Sequence, residues 1–177
     1  MTTTKTASTD TERADLLATL AEHRYFLRFT SRDLTDDAAR QRSTVSELCI
    51  GGLIKHVTAV ERSWVNFIKQ GPSALGAVTD MTPEDWERRA VGFRLLPDET
   101  LEGVLAAYDE VARHTGEVVA SVSSLDDAWP LPEAPWFPPG ECWSARRALL
   151  HIIAETAQHS GHADIIREAL DGAKTMG

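Results

Sequence analysis

The stretch ETAQHSGHAD, residues 155–164, carries Glu155, His159, His162 and Asp164 within ten positions. Glu155 and His159 stand four apart, so on a helix their Cβ atoms lie about 5–6 Å from each other and both side chains can converge on one ion. Upstream, IGGLIKHVTAVERSW, residues 50–64, sets His56 three positions after Leu53 and four before Val60, on the face a helix would turn toward its neighbours. Two imidazoles and one carboxylate form the ligand set of many catalytic zinc sites, in which three protein ligands leave a fourth position for water or substrate. Each element has an ordinary reading: a Glu–His hydrogen bond for the pair, and a core histidine satisfied by a neighbour for His56. The combination weighs differently. An inward carboxylate with no cation costs several kcal/mol or stays protonated, so three such groups facing one core point to a divalent ion between them.

His151 and His162 extend the stripe, since 151, 155, 159 and 162 follow one another at helical spacing. Either could replace a ligand or support one from behind, and spacing does not choose between these roles; the ordinary reading of His162 is a boundary residue bonded to Asp164 or to backbone. Asp164, Arg167 and Glu168 read as a surface charge ladder. His23 and His114 have no partner by spacing and read as structural or exposed. The chain has no glycine-rich phosphate loop, no G-x-S-x-G elbow, no H-E-x-x-H and no Cys/His cluster of zinc-finger spacing. Cys142 has no visible activating partner for nucleophilic work.

Four segments with helical periodicity must position these residues, and none shows sustained period-two alternation. The first runs from about Thr11 to Arg32, with Asp10 as N-cap and Leu16, Leu20, His23 and Leu27 on one face. The second runs from Ser46 to Gln70, with Leu53, His56, Val60, Trp64 and Phe67 together. A third follows Asp98 and carries Leu101, Leu105, Tyr108, Ala112, Thr115 and Val119. The fourth opens at Ser144 and closes at Asp171-Gly172, with Leu149, Ile152, Thr156, His159, Ala163, Ile166 and Leu170 inward. Between the second and third, TPEDWERR fits a short helix capped by Thr82 with Pro83 in its first turn. Between the third and fourth, five prolines at 130–139, with Trp129, Trp136, Phe137 and Trp143 in or beside them, exclude helix and predict a stiff, partly extended loop. Such a loop, 129–143, either binds something or closes one end of the fold. The expected architecture is all-α, a four-helix bundle with long inter-helix loops whose topology need not be simple up-down-up-down.

The remaining features bound the function. A chain of 177 residues fits one domain, expected over 10–177, with 1–9 a disordered tail. A formal net charge of −9 repels phosphate backbones and anionic lipid, so neither nucleic acid nor membrane is an expected partner. Two distant cysteines, no leader-like apolar run and no membrane-length span predict a cytoplasmic protein.

The segments WSARRALLHIIAETAQHSGHADIIREALDG and IGGLIKHVTAVERSW resemble the DinB-like metal-binding four-helix bundles. They are most similar to the actinobacterial branch of mycothiol-dependent S-transferases and the metal-binding domain of mycothiol-dependent maleylpyruvate isomerase. The resemblance spans about residues 10–172. Many members offer His-x-x-x-His on the last helix; Glu155 at the first of those positions resembles the His, Glu, His set of the isomerase type. The resemblance therefore implies His56, Glu155 and His159 as ligands of a divalent metal, zinc above others, with mycothiol as the thiol cosubstrate, a small electrophile as the acceptor and detoxification as the setting. Because the isomerases continue into a second domain, a chain ending near the fourth helix is expected to be the S-transferase type. A metal-dependent isomerase or hydrolase, and a non-enzymatic metal-binding bundle, stand as the alternatives. Bundles of this kind commonly form homodimers, although no interface is legible in one chain.

Overall fold

A computed structural model describes residues 3–76 and 81–175. The helices are α1 (Thr3–Thr30), α2 (Asp36–Arg40), α3 (Ile50–Gln70), α4 (Pro83–Val91), α5 (Leu101–Ser121) and α6 (Ala145–Asp171). A 3₁₀ turn at Pro72–Ala74 follows α3, and two short strands, β1 (Ala128–Pro130) and β2 (Cys142–Ser144), pair antiparallel.

The long helices α1, α3, α5 and α6 make the expected all-α bundle, with capping details that depart from the sequence reading. α1 starts at Thr3, inside the stretch expected as a tail, and runs through Asp10, because no glycine or proline stands in its way. α3 starts at Ile50 rather than after Ser46: the Cys49 sulfur accepts from the Gly52 amide, while Ser46 spends its hydroxyl on the Leu48 amide in a local turn. α5 is capped by Thr100, whose hydroxyl accepts from the Gly103 amide, and not by Asp98. Thr82 caps α4 in a reciprocal box with Asp85, and Ser144 caps α6, both as predicted. α2 was not legible in advance. Thr35, Asp36 and Asp37 cap and charge its first turn, but five residues are too few to show a period.

Contacts fix the topology. α6 packs on α1 and α3, and α3 packs on α5, which touches α1. Glu12 pairs with Arg146, the His23 carbonyl accepts from Ser160 and the Thr30 carbonyl accepts from Arg167, so α1 and α6 run parallel. His56 lies opposite Glu155 while Trp64 lies against His151, so α3 and α6 are antiparallel. Lys55 meets Glu99 and Glu61 meets Thr115, so α3 and α5 run the same way. The result is up-down-down-up. Parallel α3 and α5 require a connection that climbs the bundle, and α4 with residues 92–100 belongs to it. Where this crossover passes α3, Gly52 has no side chain to obstruct it: a Cβ there would lie 1.9 Å from the Phe93 carbonyl oxygen.

The proline-rich loop closes one end of the bundle. β1 and β2 hold its base, the Trp129 indole donates to the Ile68 carbonyl, and Trp143 is buried against Trp64. Apolar residues form two clusters, one around Leu20, Trp64, Val118 and Leu149 and the other around Leu27, Leu53, Tyr108 and Ile166. Between them lies a polar belt of Arg24, Glu61, Thr115, Thr156 and Ser160. Among the described residues no helix is long and apolar enough to cross a membrane.

Candidate metal centre

His56, on the second turn of α3, faces Glu155 and His159, on the middle turns of α6. Leu53, Ile54, Val57, Trp64, Val65 and Ile68 drive one side of α3 into the core, and His56 rides on the edge of that side nearest α6. The expected face of α3 is thus rotated: Val57 and Glu61, not His56 and Val60, point to the bundle axis. On α6, Leu149, Ile152, Thr156, Ala163 and Ile166 face the core, which leaves 151, 155, 159 and 162 along the seam with α3, as their spacing predicts.

One ligand-capable atom from each of His56, Glu155 and His159 lies within 4.8 Å of the other two. His159 Nε2 is 3.6 Å and His56 Nε2 3.9 Å from Glu155 Oε2. The three side chains are 12%, 16% and 26% exposed for His159, His56 and Glu155, so they are sheltered yet reachable. The separations are too long for hydrogen bonds. They approach the spacing of about 3.3–3.6 Å between ligands held about 2.0–2.2 Å from one tetrahedral ion. Half-buried polar atoms that converge without bonding one another are what a shared cation requires. The two imidazoles, His159 first and then His56, hold the Glu155 carboxyl far below the usual range against the opposing effect of burial, so this side chain stands as a carboxylate. The donor set fits a divalent ion such as zinc.

The walls of the site come from four separate parts of the chain. Phe93, from the crossover, stacks on His56 with ring centroids 3.9 Å apart. On the opposite side Trp64 and Trp143 stack at 4.6 Å, and Phe137 meets both edge-on. His151 sits edge-on to both indoles and its Nε2 lies 3.9 Å from Glu155 Oε1. Burial, assisted by the Arg147 charge and only partly opposed by Glu155, lowers the His151 pKa below the ordinary imidazole range. At neutral pH it adds no positive charge beside the site.

His162 does not bond Asp164 as expected. Its Nδ1 lies 3.3 Å from His159 Nδ1, while Asp164 accepts from the Thr175 amide and hydroxyl. Nor is Arg167 part of a surface ladder. It is 5% exposed, donates to the Thr30 and Arg32 carbonyls, and pairs with Asp171, so it fastens α6 to the end of α1. The unsatisfied carbonyls at a helix end are a natural acceptor for such a cation. Cys142 is exposed on β2 and Cys49 is buried in the α3 cap. His23 supplies its backbone carbonyl to Ser160, and His114 lies 3.7 Å from Glu117 on the surface of α5.

Two residues that matter here were missed. Phe93 follows a short helix in a segment without periodicity, and nothing local marks it. Glu61 carried a signal: it stands four after Val57 and four before Val65 in an otherwise apolar stripe, where a carboxylate needs a partner.

A profile of the family described as mycothiol-S-transferase matches residues 15–172. No curated protein matches the chain.

Proposed function

Because the chain belongs to the mycothiol-S-transferase family, the DinB-like branch its two motif segments resemble, we propose that it joins a low-molecular-weight thiol, mycothiol, through its sulfur to a small electrophile, whose leaving group departs, at a divalent-metal site held by His56, Glu155 and His159. The observation that carries this reading is the convergence of three unbonded donors from two antiparallel helices within 4.8 Å. A divalent ion held by these residues, zinc by its preference for such a nitrogen and oxygen set, would supply a Lewis acid that favours the ionised form of a thiol.

The protein's residues do the rest. His56 and His159 direct their Nε2 atoms toward Glu155, whose charge would offset half that of a divalent ion. Phe93 over His56 and the Trp64–Trp143 stack exclude water from either flank. Magnitudes show why the walls matter. A free thiol of pKa near 8.5 is about 3% ionised at pH 7, so complete ionisation contributes at most about 30-fold, or about 2 kcal/mol. A stabilised thiolate is also a weaker nucleophile, which subtracts from that gain. Larger acceleration has to come from holding thiol and electrophile together, and effective molarities for well-oriented partners far exceed the ionisation term. The aromatic wall of Trp64, Phe137, Trp143 and His151 is the surface suited to that task. Detoxification of reactive small molecules is the setting this chemistry serves.

Conjugation of a thiol to a chlorinated dinitrobenzene tests the proposal. Turnover that requires both thiol and metal, and disappears in His56→Ala, is the expected result. Turnover of substrate without thiol would overturn it in favour of an isomerase or hydrolase.

A further inference from the structure

His159 uses its two ring nitrogens in opposite directions. Nε2 is 3.6 Å from Glu155 Oε2, on the ligand side, while Nδ1 is 3.3 Å from Nδ1 of His162, one turn further along α6. The rings lie with centroids 5.3 Å apart and are tilted 59°, so the two nitrogens meet edge to edge and not through ring faces. Two facing imidazole nitrogens at this distance need one proton between them. With none, two lone pairs oppose each other; with two, the N–H groups collide. A histidine that ligates through Nε2 must be neutral and must carry its proton on Nδ1. That proton then has one recipient at hand, the Nδ1 lone pair of His162, and His162 must hold its own proton on Nε2.

From this geometry we infer that His162 is a positioning residue: it accepts the Nδ1 proton of His159, fixes both rings in defined tautomers and presents His159 Nε2 to the metal. The inference rests on the metal reading above. His162 is half-buried, and its i+3 placement on a continuous helix gives its Nδ1 little freedom to leave. An outer partner of this kind typically costs 10- to 100-fold in metal affinity when removed.

The test uses the full chain, stripped of metal and titrated with zinc against a chromophoric chelator, as wild type, His162→Phe and His162→Asn. Phenylalanine keeps the ring and removes the acceptor; asparagine keeps an acceptor at the δ position. His162→Phe should bind zinc about 10- to 100-fold more weakly, and His162→Asn should stay within about threefold of wild type. Nitrogen NMR of zinc-loaded wild type at pH 8 should find His162 protonated at Nε2 and its Nδ1 accepting a hydrogen bond. Equal thermal unfolding of the metal-free proteins separates these effects from loss of fold. Equal zinc affinity of His162→Phe and wild type, or an Asn variant as weak as the Phe variant, would overturn the inference alone. A wild type that binds no zinc would overturn the metal reading beneath it as well.

Discussion

At the scale of single residues, the proposed centre combines one carboxylate with two imidazoles that would have to be neutral to bind a metal. The Glu155 carboxyl is held below its usual range by His159 and His56, so it does not protonate as pH falls through 7 to 5. Protons compete with a metal for imidazole nitrogen, so zinc affinity should weaken steadily as pH falls, measured by competition with a chelator at each pH. An affinity independent of pH would contradict histidine ligation. Glu155→Gln keeps the shape and removes the charge. It should weaken zinc binding by more than the 10- to 100-fold expected for a supporting residue, with the fold intact by circular dichroism. The proximity of Glu155 and His159 was legible from spacing because a helix converts a separation of four residues into closeness. Phe93 was not legible, since its place over His56 depends on where a crossover passes and not on any local period.

At the scale of elements, α3 and α6 carry the chemistry, and two local features of the sequence decide whether they meet correctly. The first is Gly52. A Cβ at this position would lie 1.9 Å from the Phe93 carbonyl oxygen and 2.4 Å from its carbon, a collision with backbone that no rotamer relieves. Gly52→Ala should cost about 1–3 kcal/mol in urea denaturation and, by moving Phe93 off His56, weaken zinc binding too. A variant as stable as wild type would show that the crossover is free to shift. The second is Ser144, whose hydroxyl accepts from the Arg147 amide at 3.1 Å to start α6. Ser144→Ala should cost about 1 kcal/mol by the same measurement, with little effect on metal binding three turns away. Helix identities and the caps at Thr82 and Ser144 were legible because hydroxyl caps and apolar periods are local. The caps at Cys49 and Thr100 were not, because the neighbouring Ser46 and Asp98 are equally competent and tertiary packing decides which residue starts the turn. The β1–β2 ribbon escaped for a related reason: three-residue strands have no period to read.

Across the whole molecule, the metal centre sits at the level of the polar belt that separates the two apolar clusters. Arg24 lies between Leu20 and Leu27, Glu61 between Val57 and Trp64, Thr115 between Val111 and Val118, and Thr156 between Ile152 and Ala163, so each long helix contributes a polar residue at the same height. Glu61 is wholly buried. It takes Arg24 from α1 and the Thr115 hydroxyl from α5, and it joins three helices at their midpoint. Its carboxylate and burial also push the nearby Tyr108 phenol above its ordinary range, burial being the larger effect. Removing one partner of such a pair leaves the other charge uncompensated, so Glu61→Leu should cost about 3–5 kcal/mol, and the double change Glu61→Leu with Arg24→Met should recover most of it. A double variant no better than the single would show that the belt depends on more than this pair. The up-down-down-up order and the belt were out of reach of sequence reasoning, which gives the faces of helices but not which faces meet; the bundle class needed only the faces. On the proposed reading, three side chains from two helices hold one divalent ion on which thiol transfer depends. Elemental analysis of purified wild type and Glu155→Ala, with thiol-dependent turnover recorded on the same samples, tests it most directly. About one equivalent of metal per chain in wild type, with metal and turnover lost together in the variant, is the predicted result; turnover that persists in a metal-free sample, or equal metal content in the two proteins, would contradict it.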